Sequence, residues 1–288
     1  MTDYEVLATD FNEIDLNRYR PDIWSPEDVV ERNKESYEVE EPPSDEVVHD
    51  ILSEVEEAQE KAEKSGAEFY NGPLVRLEDF NVQDGTLNIE LQNTNYFSHV
   101  GTRDRPELDK ENRADPLSVG AHLLTSDGYI LLGEKSDLNE IGSGEYQLPG
   151  AGYIEDPETQ YEESLNAQPY SPIHRELNEE VNLGLRQLTH PEPSALIGAV
   201  HRQPMLVYDT ETVLSSDEVI DEWLDILEDE REFSGLAFIP AEDVPEVLEG
   251  EIDALFTDPE DPDEIVERRY TDGLRPHAEG ALEAFNNL

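Results

Sequence analysis

Apolar residues recur at helical spacing in a short stretch near the middle of the chain. Ile173, Leu177 and Val181 fall every four positions, which predicts one buried stripe on an amphipathic helix. Ser171 followed by Pro172 marks its start: a hydroxyl cap, then a proline at the first helical position, where no N–H is needed. A longer helix is predicted to open at Ser44, after the double proline Pro42-Pro43, with Val47, Val48, Ile51, Leu52, Val55, Ala58 and Ala62 as its apolar face and Gly66 as its stop. Ser25-Pro26-Glu27 reads as another helix start. Between Ser215 and Leu227 a capping box, Ser215 with Glu218, precedes the inward-facing set Val219, Ile220, Trp223, Leu224, Ile226 and Leu227. Ala241 to Val244 begins a further helix, and the tail from Pro276 ends in one carrying Ala278, Ala281, Leu282 and Phe285.

Two alternating runs frame Asp84-Gly85, a strong short-range hairpin signal, and Asp127-Gly128 repeats it between Leu117–Leu124 and Tyr129–Gly133. Ala195–Val200 and Met205–Tyr208 read as buried strands, and Phe233–Pro240 as a strand. The charged stretch 103–114 lies between the two hairpins and reads as a boundary loop. Gly142-Ser143-Gly144 lacks the strand and helix context of a dinucleotide fingerprint and reads as a turn. No internal repeat is visible.

Charge changes the picture. The formal net charge of the 288 residues is −52, with 71 acidic residues against 19 basic ones. That balance repels a phosphate backbone and an anionic membrane surface, so neither nucleic acid nor membrane is an expected partner. Acidity of this degree with so little lysine resembles proteins of a salt-loaded cytoplasm, where ionic strength screens self-repulsion. Disorder is the other source of such a composition, but the 36% hydrophobic content and the recurring apolar patterns argue for a folded chain. There is no cysteine, hence no disulfide, thiol nucleophile or zinc-thiolate site. No apolar run reaches membrane-spanning length, and the first residues lack the basic and apolar regions of a signal peptide, so a cytoplasmic location is expected.

Candidate chemistry sits on the predicted helix at 171–183. Glu176, Glu179 and Glu180 stand at i, i+3 and i+4 and share one face. Like charges so placed repel on a bare helix, and they become favourable around a hard divalent cation, which takes oxygen ligands. In a chain this acidic, a solvated acidic face is the other reading. Arg175 bears on the choice, because a scarce guanidinium beside the cluster can hold one glutamate in place. Arg76, another rare cation, has two readings: contact with a substrate phosphate, or an ion pair with Glu78 or Asp79 at the surface. His201 and Arg202 lie between two predicted strands; His201 has two readings, contact with a substrate or the structural role more usual for a lone histidine at a strand end.

These residues resemble the Nudix hydrolases, whose box runs Gly-x5-Glu-x7-Arg-Glu-φ-x-Glu-Glu-x-Gly-φ with φ apolar. Gly152 and Glu158 match its first half; Arg175, Glu176, Leu177, Glu179, Glu180 and Leu183 match its helical half. Two departures stand out. Sixteen residues separate Glu158 from Arg175 in place of seven, a nine-residue insertion within the stretch 160–170, and Asn182 stands where the box has glycine. Asparagine is the next-best residue for a left-handed helix end. The segments around 69–76 and 94–102 are similar to the subgroup that cleaves UDP-glucose.

The resemblance implies an α/β fold: a Nudix-type α/β/α sandwich around a mixed sheet, with the 171–183 helix on one face and the 215–227 helix on the other. Residues 1–114 are expected to form an N-terminal extension of helices and a hairpin, and 115–288 the hydrolase domain. The implied activity is hydrolysis of a phosphoanhydride in a nucleoside diphosphate linked to another group, a UDP-sugar first and ADP-ribose second. Mg²⁺ or Mn²⁺ would be held by Glu176, Glu179 and Glu180, with Arg175 orienting a ligand, Gly152 giving the loop backbone close approach, and Glu158 supporting the loop. Glu232, at a predicted strand mouth, is the candidate for completing the site or serving as base. Arg76 and Arg202 are the candidate substrate contacts. The expected partner is a small-molecule nucleotide. The alternative within the same fold is a module that binds a nucleotide without cleaving it.

Overall fold

Strand residues alternate strictly between two cores, and that alternation sets the layers. On the strand 118–124, Val119, Ala121 and Leu123 enter one apolar cluster; on 204–211, Leu206 and Tyr208 enter the same cluster while Met205 and Val207 enter a second. A computed structural model describes residues 4–9, 11, 13–23, 45–65, 72–103, 105, 108, 113–136, 144–155, 171–199, 203–227, 231–248, 253–257, 265–269, 274 and 276–286. Its strands are β1 (Tyr4–Ala8), β2 (Glu13–Ile23), β3 (Pro73–Gln83), β4 (Thr86–Asn95), β5 (Ser118–Leu124), β6 (Tyr129–Lys135), β7 (Tyr146–Gln147), β8 (Gly152–Tyr153), β9 (Glu192–Ala199), β10 (Pro204–Glu211), β11 (Phe233–Pro240), β12 (Asp253–Thr257) and β13 (Ile265–Arg269). Its helices are α1 (Asp45–Ser65), α2 (Tyr96–Thr102), α3 (Ser171–Val181), α4 (Ser216–Leu224), α5 (Val244–Leu248) and α6 (Pro276–Asn286). The helix start expected at Ser25 and the stop at Gly66 lie outside the described residues.

Ten of these strands form one mixed sheet in the order β1-β9-β10-β5-β6-β11-β12-β13, with β7 on β6 and β8 on β5. β5 and β10 run parallel, Met205 opposite Ser118, and the remaining pairs are antiparallel. β5 and β6 leave the Asp127-Gly128 turn together but keep one paired position, Leu124 with Ile130, before they part. The segment 146–153 fills the opening: Gln147 pairs with Gly133 and Tyr153 with Ser118, and Ala121 N–H donates to the Pro149 carbonyl. That wedge brings the loop Pro149–Gly152 against α3.

The expected α/β/α sandwich is present, but its helices are distributed differently. Ile173, Leu177 and Val181 of α3 share one core with Val219, Ile220 and Trp223 of α4. The two helices therefore lie on the same face, which corrects the opposite-face expectation for the 215–227 helix. The second face is covered by α6, whose Ala278, Ala281, Leu282 and Ala284 pack with Ala195, Ile197 and Ala237. Side-chain chemistry makes the allocation intelligible. Asn182 Nδ2 donates to the Glu222 carbonyl and carboxylate, both at 3.2 Å, and this ties the end of α3 to α4. α6 is rich in alanine, which allows a helix to lie flat on a sheet. Leu227, expected inward, lies past the end of α4 and is exposed.

A second sheet, β2-β4-β3, carries the first hairpin. Asp84 and Gly85 both take positive φ, 54° and 79°, the turn that matches strand twist. Its apolar side, Val75, Leu77, Leu87, Ile89 and Leu91, joins the α3 and α4 core. β1, which belongs by sequence to the expected N-terminal extension, is paired into the large sheet along β9. On α1, Ile51 is buried as expected while Leu52 faces outward. Among the described residues, no helix is long and apolar enough to cross a membrane.

Candidate functional site

α3 presents its acids on one side because its apolar residues claim the other. Glu180 is fully buried, Glu176 is partly buried and Glu179 is exposed. The helix ends as the asparagine substitution predicts. Asn182 adopts φ 57°, and Leu183 N–H returns to the Leu177 carbonyl at 3.1 Å, closing the last turn.

Glu180 is the pivot. Its Oε2 accepts the backbone N–H of Gly150 at 2.6 Å, while Oε1 is buried and has no hydrogen-bond partner among the described residues. Burial first, then the Glu232 and Glu176 charges, push its carboxyl well above the usual range; the Gly150 N–H and Lys135 pull the other way. Glu176 is raised too, by burial first, against the lowering effect of Arg175. Glu232 is raised by partial desolvation and by the Glu179 charge, against Lys135. Although much of the Glu232 side chain faces solvent, its charge is felt by both Glu176 and Glu180.

The loop across from the helix is shaped for these side chains. Gly150 has φ 68°, a conformation that favours glycine, and a Cβ there would stand 3.2 Å from Ile173 and Leu177. At Gly152 a Cβ would meet the Glu176 side chain, with Cδ at 2.8 Å and Cγ at 2.9 Å. Arg175 spans the same junction, 2.6 Å from Glu176 Oε1 and 3.3 Å from Glu155 Oε1. Beside the acids lies a cavity of about 480 Å³ lined by Asn178, Glu179, Asn182, Asp225, Ile226, Leu227 and Glu232.

The residues fit a hard divalent ion. The donors are all carboxylate oxygens, one buried oxygen is orphaned, and the missing side chain at Gly152 makes room for the Glu176 carboxylate. Among the described residues no three acidic or imidazole side chains close on a single point; Glu176 is turned to Arg175 instead.

Sequence reasoning placed Arg175, Glu176, Glu179, Glu180, Glu232 and Gly152 in one neighbourhood, and the structure brings them together. Glu158, His201 and Arg202 lie outside the described residues. Arg76 pairs with Glu78 at 2.9 Å and bonds to Gln92, but it is buried, which corrects the expectation of a pair on the surface. Gly150, Glu155, Lys135 and Arg231 were missed. Gly150 sits two residues before the glycine that matched the box. Lys135 and Arg231 are rare cations, and rarity is the signal that singled out Arg175.

No protein-family profile matches the sequence, and no characterised protein does. Solved structures with some likeness include DR0079 from Deinococcus radiodurans (17% identity, 48% of this chain and 75% of that one, TM-score 0.33). A MutT protein from Methanosarcina mazei has 14% identity over 59% of this chain and 92% of its own, and a Nudix hydrolase from M. smegmatis, RenU, has 13% over 59% and 83%, both with TM-score 0.33. Likeness at this level carries no argument for activity.

Proposed function

We propose that the chain is a divalent-metal-dependent pyrophosphohydrolase of the Nudix kind, acting on a nucleoside diphosphate linked to another group. The observation that carries this reading is the buried Glu180, with one oxygen held by Gly150 N–H and the other orphaned, among three further carboxylates. In the bare fold burial favours the protonated form of Glu180, and a cation taking its free oxygen would offset the cost of charging it. Glu176, Glu179 and Glu180 would hold Mg²⁺ or Mn²⁺. When bound, the ion supplies charge neutralisation for the diphosphate and a more acidic water.

The chain's own residues have separate tasks. Arg175 holds Glu176 at 2.6 Å and fixes its orientation toward the Gly152 loop. Gly150 N–H fixes Glu180. Glu232, raised above the usual carboxylate range, is suited to take a proton at the cleft mouth. In a chain of net charge −52, the bound cation also removes a local barrier to an anionic substrate. The substrate class is a UDP-sugar first and ADP-ribose second, with a cytoplasmic location.

The test is a panel of nucleoside diphosphate derivatives with Mg²⁺ or Mn²⁺ at about molar KCl, an ionic strength that screens surface repulsion, reading released nucleoside monophosphate. Release of UMP or AMP supports the proposal. Tight binding of the nucleotide with no release would replace it with the non-catalytic module.

A further inference from the structure

Arg231 lies immediately before Glu232, in a stretch that is otherwise acidic. Its guanidinium carbon stands 4.8 Å over the ring of the fully buried Trp223. Nε donates to the Ile226 carbonyl at 3.0 Å and a terminal nitrogen to the Leu224 carbonyl at 2.8 Å. These are carbonyls at the end of α4, where helices leave acceptors without internal partners and where positive charge is favoured. The backbone on the other side is pinned as well. Ser136 Oγ donates to the Arg231 carbonyl at 3.2 Å, and Ser136 N–H to the Glu232 carbonyl at 2.9 Å. Glu232 is thus held between a guanidinium locked onto α4 and the end of β6.

We propose that Arg231 is a positioning residue, whose lock on Trp223 and on the α4 carbonyls places Glu232 opposite Glu179 and Glu180. This rests on the pyrophosphohydrolase reading for its functional consequence, though the lock itself does not. A guanidinium is suited to the task. It stacks on the indole face and offers its N–H groups in a fixed fork, whereas an ammonium on a flexible stem makes only a point-charge contact with the ring and lacks the fork. The lock also sets Ile226 and Leu227 along the wall of the cavity that Glu232 lines.

A plain helix cap would also stabilise the fold, so the test is a double-mutant cycle in the full chain. Arg231→Met, Glu232→Gln and the double variant are compared for Mn²⁺ affinity by calorimetry and for hydrogen exchange at the Ser136 amide. The expected result is that Arg231→Met and Glu232→Gln each weaken Mn²⁺ binding about tenfold and that the double variant is no weaker than either. Exchange at Ser136 should quicken about tenfold in Arg231→Met, with Arg231→Lys intermediate in both readouts. Should Arg231→Met fail to fold, the cycle is run with Arg231→Lys. Effects that multiply in the double variant, or an unchanged Ser136 amide, overturn the proposal. A wild-type chain that binds Mn²⁺ but hydrolyses no nucleotide sinks the proposed activity and leaves this cycle to be read on its own terms.

Discussion

Glu180 accepts the Gly150 N–H at 2.6 Å across thirty residues of sequence, and this bond joins the acidic helix to the loop that faces it. Glutamine at position 180 keeps an oxygen for that N–H and removes the charge. Glu180→Gln should therefore fold, melt at or above the wild-type temperature without metal, and lose turnover by roughly two orders of magnitude or more. Circular dichroism and product release with saturating Mg²⁺ measure the two halves. Unchanged turnover contradicts the role given to Glu180.

Acidity should affect stability in a definite direction. Glu180, Glu176 and Glu232 all have folded pKa values raised, each by burial first. A group so shifted binds its proton more tightly in the folded state. Its contribution is fully present below the unfolded value, about 4.3, and is lost as pH rises through the folded value. The metal-free protein should melt at progressively lower temperature from weakly acid to neutral pH, and Mg²⁺ should restore stability by linkage. Glu180→Gln should flatten both the pH dependence and the Mg²⁺ response. The difference between variant and wild type isolates the site from the charge of the whole chain, and thermal melts over a pH series record it.

Gly152→Ala tests the loop. The added carbon meets the Glu176 side chain within 3 Å, with Cδ at 2.8 Å, so either the carboxylate or the loop must shift. Because the carboxylate is the free end of a flexible side chain, moving it costs little stability but displaces a proposed metal ligand. Mn²⁺ affinity should fall with it, while a substitution at the exposed turn Gly144, where a Cβ meets nothing within 4 Å, should leave the affinity unchanged. Calorimetry on the two variants decides.

Asn182 offers a test of how the helix ends. Its left-handed backbone favours glycine, but its side chain donates twice to Glu222. Asn182→Ala loses the bonds and strains the backbone, and should destabilise by about 1–2 kcal/mol; Asn182→Gly loses the bonds alone and should cost less. Urea midpoints give the order.

What the chain discloses in advance follows from the range of the forces involved. The Asp84-Gly85 turn, the capping box at Ser215 and the stripe Ile173-Leu177-Val181 are local, and all three form as the sequence predicts. The capping box is complete in both directions, side chain to backbone and back. Glutamate spacing on α3 was legible for the same reason. What spans distance was not. β1 reaches β9 across nearly two hundred residues, and no local pattern marks that pairing. The face chosen by α4 depends on Asn182 meeting Glu222, which neither stretch reveals alone. β12 and β13 are five residues each and lack the alternation that reveals a strand. Arg76 was visible as a rare cation, but its burial beside Glu78 depends on how two sheets stack.

The most direct measurement is a crystal soaked in Mn²⁺ and examined at the manganese absorption edge. The account expects an anomalous peak bounded by the carboxylates of Glu176 and Glu180, with Glu179 or Glu232 turned toward it and Gly152 adjacent. A map with manganese elsewhere, or with none against α3, would contradict it.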